Sequence, residues 1–229
     1  VFTNTVKGIG QLSVRLRDVE VLVLIRERTQ FPKQLLEKLP KLRLISQTGK
    51  VGPHIDIETC TRMGIAVAEG VGSPVAPAEL TWALIMAAMR RLPQYVGNLK
   101  HGAWQQSGLK AASMPANFGL GMVLRGKTLG IWGYGKIGQL VAGYGKAFGM
   151  DVVAWSQNLT PEKAEAGGAK YVSKDELLAT SDFVSIHAKL TPDTRHLFGA
   201  EQFRRMKPSA VLVNTARGPI VDEAALADA

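Results

Sequence analysis

The chain has 229 residues, 46% of them hydrophobic and 21% charged, which allows one large or two modest domains and excludes an intrinsically disordered polymer. Its formal charge is +9, from 28 basic and 19 acidic residues, but the basic groups are dispersed: Arg26 and Arg28, Lys38 with Lys41 and Arg43, Arg90 with Arg91, Arg204 and Arg205 with Lys207. None forms the run of about five or six like charges that marks a nucleic-acid arm, and a modest positive field equally suits small anions, so nucleic acid is not an expected partner.

Taken in order, residues 11–17 read as the end of a helix, with Leu12 and Leu16 on one face. Residues 20–25 form a nearly continuous β-type run, as for a parallel strand covered on both faces. Residues 32–39 read as a short helix with proline near its start, and residues 42–47 as a second strand. The loop that follows leaves the carboxyl end of that strand, where open α/β sheets place their ligands; Lys50, Val51 and Gly52 are its candidate binding residues. Residues 56–63 read as a helix capped by Asp56, and residues 65–68 as a third strand. The single cysteine, Cys60, excludes an intramolecular disulfide and suits a reducing cytoplasm. Strands alternating with helices predict an α/β class with doubly wound parallel sheets.

Two glycines and two prolines within residues 70–77 mark a domain boundary, giving domains 1–72 and 73–229. Ser73 or a neighbour is expected to cap a helix over residues 78–91 with an apolar face at Leu80, Leu84, Ile85 and Met89. The apolar run 80–89 is too short to span a bilayer, so no membrane association is expected. Residues 93–125 have poor periodicity, with Trp104 the one large anchor, and read as an excursion over the surface or a partner subunit.

Residues 128–132 are a short β-rich apolar run. Gly133-Tyr134-Gly135-Lys136-Ile137-Gly138 follows, matching G-x-G-x-x-G, and then a helical pattern with Ile137, Leu140, Val141, Tyr144 and Phe148 on one stripe. Strand, glycine turn and helix together make a dinucleotide-binding expectation. Gly133 permits the turn, Gly135 admits a pyrophosphate to the backbone, Gly138 lets helix and strand pack, and the amides around Lys136 and Ile137 face the phosphates. An overlapping match to G-x-x-x-x-G-K-[ST], from Gly121 to Thr128, lacks its context: that loop must follow a strand and open a helix, whereas here a strand follows. Further strands are expected at 152–155, 170–172, 182–187 and 210–215. Helices are expected at 161–166 and 174–179, one ends at 203–206, and another is capped by Asp222.

These residues resemble the D-isomer-specific 2-hydroxyacid dehydrogenases, in the 3-phosphoglycerate dehydrogenase and hydroxypyruvate reductase branch. The similarity rests on the glycine segment from Gly126 to Gly138, Phe148-Gly149-Met150, Ile186-His187, Met206-Lys207-Pro208, and above all Val213-Asn214-Thr215-Ala216-Arg217-Gly218-Pro219-Ile220-Val221-Asp222. It implies two Rossmann- or flavodoxin-like domains and reversible hydride transfer between NAD or NADP and a D-2-hydroxy or 2-oxo acid of the 3-phosphoglycerate, hydroxypyruvate or glyoxylate class. A cytoplasmic homodimer without a metal is implied as well. Arg217 matches the arginine that grips the substrate carboxylate, a role its fork of donors suits; the alternative is an arginine paired to a nearby acid. His187, Ala188, Thr215 and Ala216 fall in the cofactor cleft, and Lys50, Val51 and Gly52 in the substrate loop.

The resemblance is incomplete. The family's proton-exchanging histidine and its carboxylate partner match none of His54, His101, His187 or His196, and are expected beyond Ala229. An amino-terminal strand and a sixth strand of the cofactor domain are also expected outside the sequence, so both domains are read as parts of a longer protein. The acid that binds the ribose 2′-hydroxyl should stand near Ser156, 18 positions after Gly138 (156 − 138). Ser156-Gln157-Asn158 carries no charge of either sign, which predicts weak discrimination between NAD and NADP. A dinucleotide-sensing regulator on the same scaffold is the alternative function.

Overall fold

A computed structural model describes Asn4 and residues 6–104, 107–108 and 121–229, and the chain divides between Ser73 and Pro74 into two units. The first contains helices α1 (Ile9–Leu16), α2 (Lys33–Leu36) and α3 (Ile57–Arg62) and strands β1 (Val21–Leu24), β2 (Leu44–Gln47) and β3 (Ala66–Glu69). The strands are parallel and adjacent in chain order. Right-handed crossovers in that order put successive helices on one face, and there Leu12, Leu16, Leu35, Leu36, Ile45 and Cys60 form a single core. Asp56 caps α3, accepting from the Thr59 amide at 3.0 Å. The strand expected to be covered on both faces is covered on one: Leu22 is buried, whereas Val21, Val23 and Ile25 are exposed. Apolar residues line both faces of β1, but the described helices all pack on the Leu22 side.

The second unit contains α4 (Val75–Met89), α5 (Leu92–Lys100), the short pair β4 (Ala103–Trp104) and β5 (Ser107–Gly108), β6 (Thr128–Trp132), α6 (Lys136–Ala147), β7 (Asp151–Trp155), α7 (Pro161–Ala166), β8 (Lys170–Tyr171), α8 (Lys174–Thr180), β9 (Phe183–Ile186), α9 (Ala200–Arg205), β10 (Val211–Asn214) and α10 (Glu223–Ala227). Its five-stranded parallel sheet runs β10-β9-β6-β7-β8, so the chain starts in the middle, winds to one edge and returns to the other. Side chains alternate between two cores. Leu129, Ile131, Val152, Ala154, Phe183 and Val213 face α4 and α6; Trp132, Val153, Val184 and Ile186 face α8 and Phe198. Burial on both faces is why these strands read as unbroken apolar runs.

Three helical expectations need correction. The long helix begins at Val75 rather than Ala78, with Pro74, the neighbour of Ser73, at its N-cap position. Its buried positions are Ala78, Thr81, Ile85 and Met89, while Leu80 and Leu84 are exposed. A helix apolar on nearly every side gives no stripe from which the inner face can be chosen. On α6 the expected stripe packs on the core at Ile137, Leu140, Val141 and Tyr144, and only Phe148 is exposed at the end; Gly138, Val141, Ala142 and Gly145 are deepest, and the small residues bring that helix close to the sheet. Residues 92–100, expected to lack regular structure, form α5 despite Pro93 in its first turn and Gly97 in its middle. It buries none of its residues, so periodicity had little to report. The rest of the expected surface excursion, 105–106 and 109–120, and the side chain of Trp104 lie outside the described residues.

One carboxylate ties the starts of three strands together. Asp182 accepts from the Thr128 amide at 2.8 Å and from Lys207 Nζ at 3.1 Å, while its own carbonyl accepts from the Val211 amide at 2.9 Å. Burial alone would raise its pKa, but the Thr128 amide and the Lys207 ammonium outweigh that and hold it below the ordinary 3.8. A depressed folded-state pKa gives stability that is present above the unfolded value and lost as pH falls through the folded one. Asp182→Asn is expected to destabilise the chain by about 1–3 kcal/mol at pH 7. In urea unfolding the gap from wild type should narrow below about pH 4; an equal gap at pH 7 and pH 3 would contradict this role.

Candidate dinucleotide and carboxylate site

The carboxyl ends of four neighbouring strands carry the candidate residues in a row. The registers align Trp132 with both Trp155 and Ile186, and Ile186 with Asn214. Ser156, Gly133, His187 and Thr215, the residues just beyond, therefore follow one another across roughly 15 Å of sheet. The winding reverses between β6 and β9, the crevice where such sheets bind ligands.

Gly133 has φ 104°, and a Cβ on it would lie 2.8 Å from the His187 carbonyl carbon and 2.9 Å from the Ala188 nitrogen. Only glycine allows β6 to turn that close to the end of β9. A Cβ on Gly138 would sit 2.4 Å from the Gly133 carbonyl oxygen, so α6 rests directly on the turn. Gly135 differs: nothing lies within 4 Å of its Cβ position. It is the N-cap of α6 and provides no side-chain cap, and the first helical bond is from Gln139 to its carbonyl at 2.9 Å. The preceding amides, at Lys136, Ile137 and Gly138, are the orphan donors of a helix start. An open Cβ direction beside uncapped amides fits a pyrophosphate. Thr128 opens β6 rather than a helix, so the nucleotide-triphosphate pattern fails on structure as well as context.

Ser156 follows β7 and lines a cavity of about 510 Å³ together with Tyr134, Gly135, Gln139, Asn158 and Lys163. Tyr134 closes its back wall, donating from its hydroxyl to the Gly167 carbonyl at 2.8 Å. His187 contacts Ser185 Oγ through Nε2 at 2.9 Å, and burial pulls its pKa down to about 4, so the ring is neutral at physiological pH.

Thr215 and Ala216 leave β10 in a turn that Asn214 staples. The Asn214 carboxamide accepts from the Ala216 amide at 3.1 Å and donates to the Arg217 carbonyl at 2.8 Å. Thr81 donates to the Pro77 carbonyl at 2.8 Å, so the 2.7 Å contact between the two hydroxyls runs from Thr215 to Thr81. Arg217 is exposed, and its guanidinium donates to the Ala216 carbonyl at 2.8 Å. The motif therefore delivers Arg217 on a braced turn, and Asn214 is a positioning residue that function-by-residue reading passed over.

In the first unit, the Lys50 ammonium pairs with Glu69, and the Val51 amide donates to the other carboxylate oxygen at 3.0 Å. The Lys50 contact lowers the Glu69 pKa most. Gly52 lies against buried His54, whose Nδ1 would be 3.3 Å from an added Cβ. The His54 Nε2 is 3.3 Å from Gln47 Oε1. Sequence patterns do not bring out this buried Gln47–His54 pair, because neither residue belongs to a motif.

Comparison with known proteins agrees with this geometry. Residues 82–229 match the family model for the D-isomer specific 2-hydroxyacid dehydrogenase NAD binding domain. A glyoxylate reductase of Thermococcus litoralis is 41% identical over 219 residues, covering 95% of this chain and 65% of that protein. A crystal structure from Ralstonia solanacearum, described as a D-3-phosphoglycerate dehydrogenase oxidoreductase, is 59% identical with a TM-score of 0.86, covering 100% of this chain and 68% of that one. A D-lactate dehydrogenase from Aquifex aeolicus complexed with NAD and lactic acid is 33% identical with a TM-score of 0.77, covering 93% and 61%. The chain belongs to the D-isomer-specific 2-hydroxyacid dehydrogenase family and contains its NAD-binding domain. It spans 65% of the glyoxylate reductase's length. A dinucleotide-sensing regulator finds no support in these similarities. No helix among the described residues is long and apolar enough to cross a membrane.

The glycines separate two effects. Gly135→Val is expected to leave the melting temperature within about 2 °C of wild type, a change of well under 1 kcal/mol, and to abolish dinucleotide binding in calorimetry. Gly138→Val should lower stability by about 1–3 kcal/mol through overpacking. Retained binding in Gly135→Val, or an undisturbed fold in Gly138→Val, would contradict these assignments.

Proposed function

We propose that the protein carrying this chain catalyses reversible hydride transfer between NAD(P)(H) and a short D-2-hydroxy or 2-oxo acid of the glyoxylate, hydroxypyruvate or 3-phosphoglycerate class. The observation that carries this reading is Arg217, presented by the Asn214-stapled turn beyond β10, two strands from the glycine turn in the same sheet. When bound, the nicotinamide supplies or accepts the hydride. Gly133, Gly135, Lys136, Ile137 and Gly138 bind its phosphates, Ser156 faces the adenosine ribose, and His187, Ala188, Thr215 and Ala216 line the cleft toward Arg217. The guanidinium holds the substrate carboxylate and polarises the adjacent carbonyl oxygen, where negative charge develops as hydride arrives. A His187 ring that is neutral and bonded to Ser185 suits a cleft wall better than a proton donor. Lys50, Val51 and Gly52 form the substrate loop of the first domain, residues 1–72, with Glu69 fixing its shape; residues 73–229 form the cofactor domain. The buried free thiol of Cys60 suits a reducing cytoplasm.

Arg217→Ala in the intact protein should reduce kcat/KM for glyoxylate or hydroxypyruvate at least tenfold, since it leaves a desolvated carboxylate unpaired at about 2–5 kcal/mol. Undiminished turnover in that variant, or no turnover of any short 2-oxo acid by wild type, would refute the reading.

A homodimer is part of the proposal. The outer side of α4 presents Leu80, Ala83, Leu84 and Ala88, and α5 adds Leu92, Val96 and Leu99, all exposed. From Leu80 to Met89 no residue is charged. Such a surface is characteristic of an interface, and a second copy of the chain is its proposed occupant. Leu84→Asp should shift the protein toward monomer in analytical ultracentrifugation at micromolar concentration. A wild type already monomeric there would count against it.

A further inference from the structure

Building on the NAD(P) reading above, we propose that Lys163 receives the 2′-phosphate of an NADP-type dinucleotide and so determines which cofactor this chain prefers. The segment expected to read the ribose, Ser156-Gln157-Asn158, is neutral. The cavity that Ser156 opens into also takes in Lys163 from the first turn of α7, and none of its lining residues is acidic. The place where a carboxylate would repel a phosphate instead offers a hydroxyl, two side-chain amides (Gln139 and Asn158) and an ammonium.

The fold fixes the backbone of Lys163 and leaves its side chain exposed. Thr160 caps α7 by accepting from the Lys163 amide at 3.3 Å. The Lys163 carbonyl accepts from the Gly167 amide at 3.3 Å, and Gly167 is held to the glycine turn by the Tyr134 hydroxyl. Tyr134 thus anchors the helix bearing Lys163 to the turn that would hold the pyrophosphate. The acids of α7 do not line this cavity. Glu162 stands beside the Thr160 hydroxyl, which lowers its pKa, and Glu165 lines a separate hollow with Lys170. Lys163 itself belongs to no ion pair among the described residues. A lysine binds phosphate as a point charge, needing proximity rather than a fixed fork, which suits a side chain reaching over an open cavity.

The test is calorimetric titration of the intact protein carrying this chain and its Lys163→Ala, Lys163→Glu and Lys163→Arg variants with NADPH, NADH, 2′,5′-ADP and 5′-AMP. Wild type should bind NADPH about tenfold to a hundredfold tighter than NADH, the scale of one charged hydrogen bond, and 2′,5′-ADP should exceed 5′-AMP by a similar ratio. Lys163→Ala should erase the ratio, Lys163→Glu invert it, and Lys163→Arg retain it, with NADH affinity shifting far less and melting temperatures unchanged. Added salt should weaken the 2′-phosphorylated ligands more than their partners. An unchanged NADPH-to-NADH ratio in the alanine and glutamate variants, with NADH still bound, would overturn the role of Lys163 alone. Wild type binding neither dinucleotide would overturn the cofactor reading and the Lys163 assignment together.

Discussion

The second unit depends on a contact that only a missing side chain permits. Gly133 brings β6 against the backbone of His187 and Ala188, and Gly138 brings α6 down onto the Gly133 carbonyl. Three elements meet where any Cβ would force them apart by about an ångström. Close packing transmits such a displacement instead of absorbing it. The candidate site residues are then measured from this point: Ser156 one strand away on one side, His187 and Thr215 one and two strands away on the other. The helix amides converge on the crevice because α6 has no freedom to sit elsewhere.

Two polar braces keep that arrangement from relaxing. At the amino ends of the strands, Asp182 joins β6 and β9, and through its carbonyl β10. At the carboxyl ends, Asn214 folds the chain back on itself and the Thr215–Thr81–Pro77 relay ties β10 to the first turns of α4. Buried polar groups carry a penalty unless each is satisfied, and in both braces the hydrogen-bonding groups meet partners. The exposed Arg217 thus sits on a rigid mount, with its guanidinium bonded to the Ala216 carbonyl.

Much of this was legible in the sequence where chemistry leaves a local mark. Four of the five strands of the second sheet announce themselves as apolar runs because both faces are covered, β8 with Lys170 and Tyr171 exposed being the exception, and the glycine spacing and the Asn214–Arg217 signature identify the turns. Legibility failed where the deciding partner is remote. Nothing local in residues 20–25 tells that helices cover only the Leu22 side. The uniformly apolar α4 conceals that Thr81, not Leu80 or Leu84, faces inward. α5 escaped notice because a helix that buries none of its residues is under little pressure to show a stripe. Lys163 was overlooked for a related reason: the ribose reader was sought in the turn after β7, whereas the charge arrives from the next helix, folded back over that turn by the hold of Tyr134 on Gly167.

The aromatic pair beneath the crevice has a practical consequence. Trp132 directly precedes Gly133 and Trp155 directly precedes Ser156, and their rings stand 4.8 Å apart, with Lys174 4.6 Å from the Trp155 ring. The chain contains four tryptophans, and two of them lie under the candidate cofactor crevice. Reduced nicotinamide, unlike the oxidised ring, absorbs where indole emits, so a reduced dinucleotide bound there lies within energy-transfer range of both rings. Intrinsic fluorescence thus gives this chain a label-free optical reading of crevice occupancy, without any engineered probe.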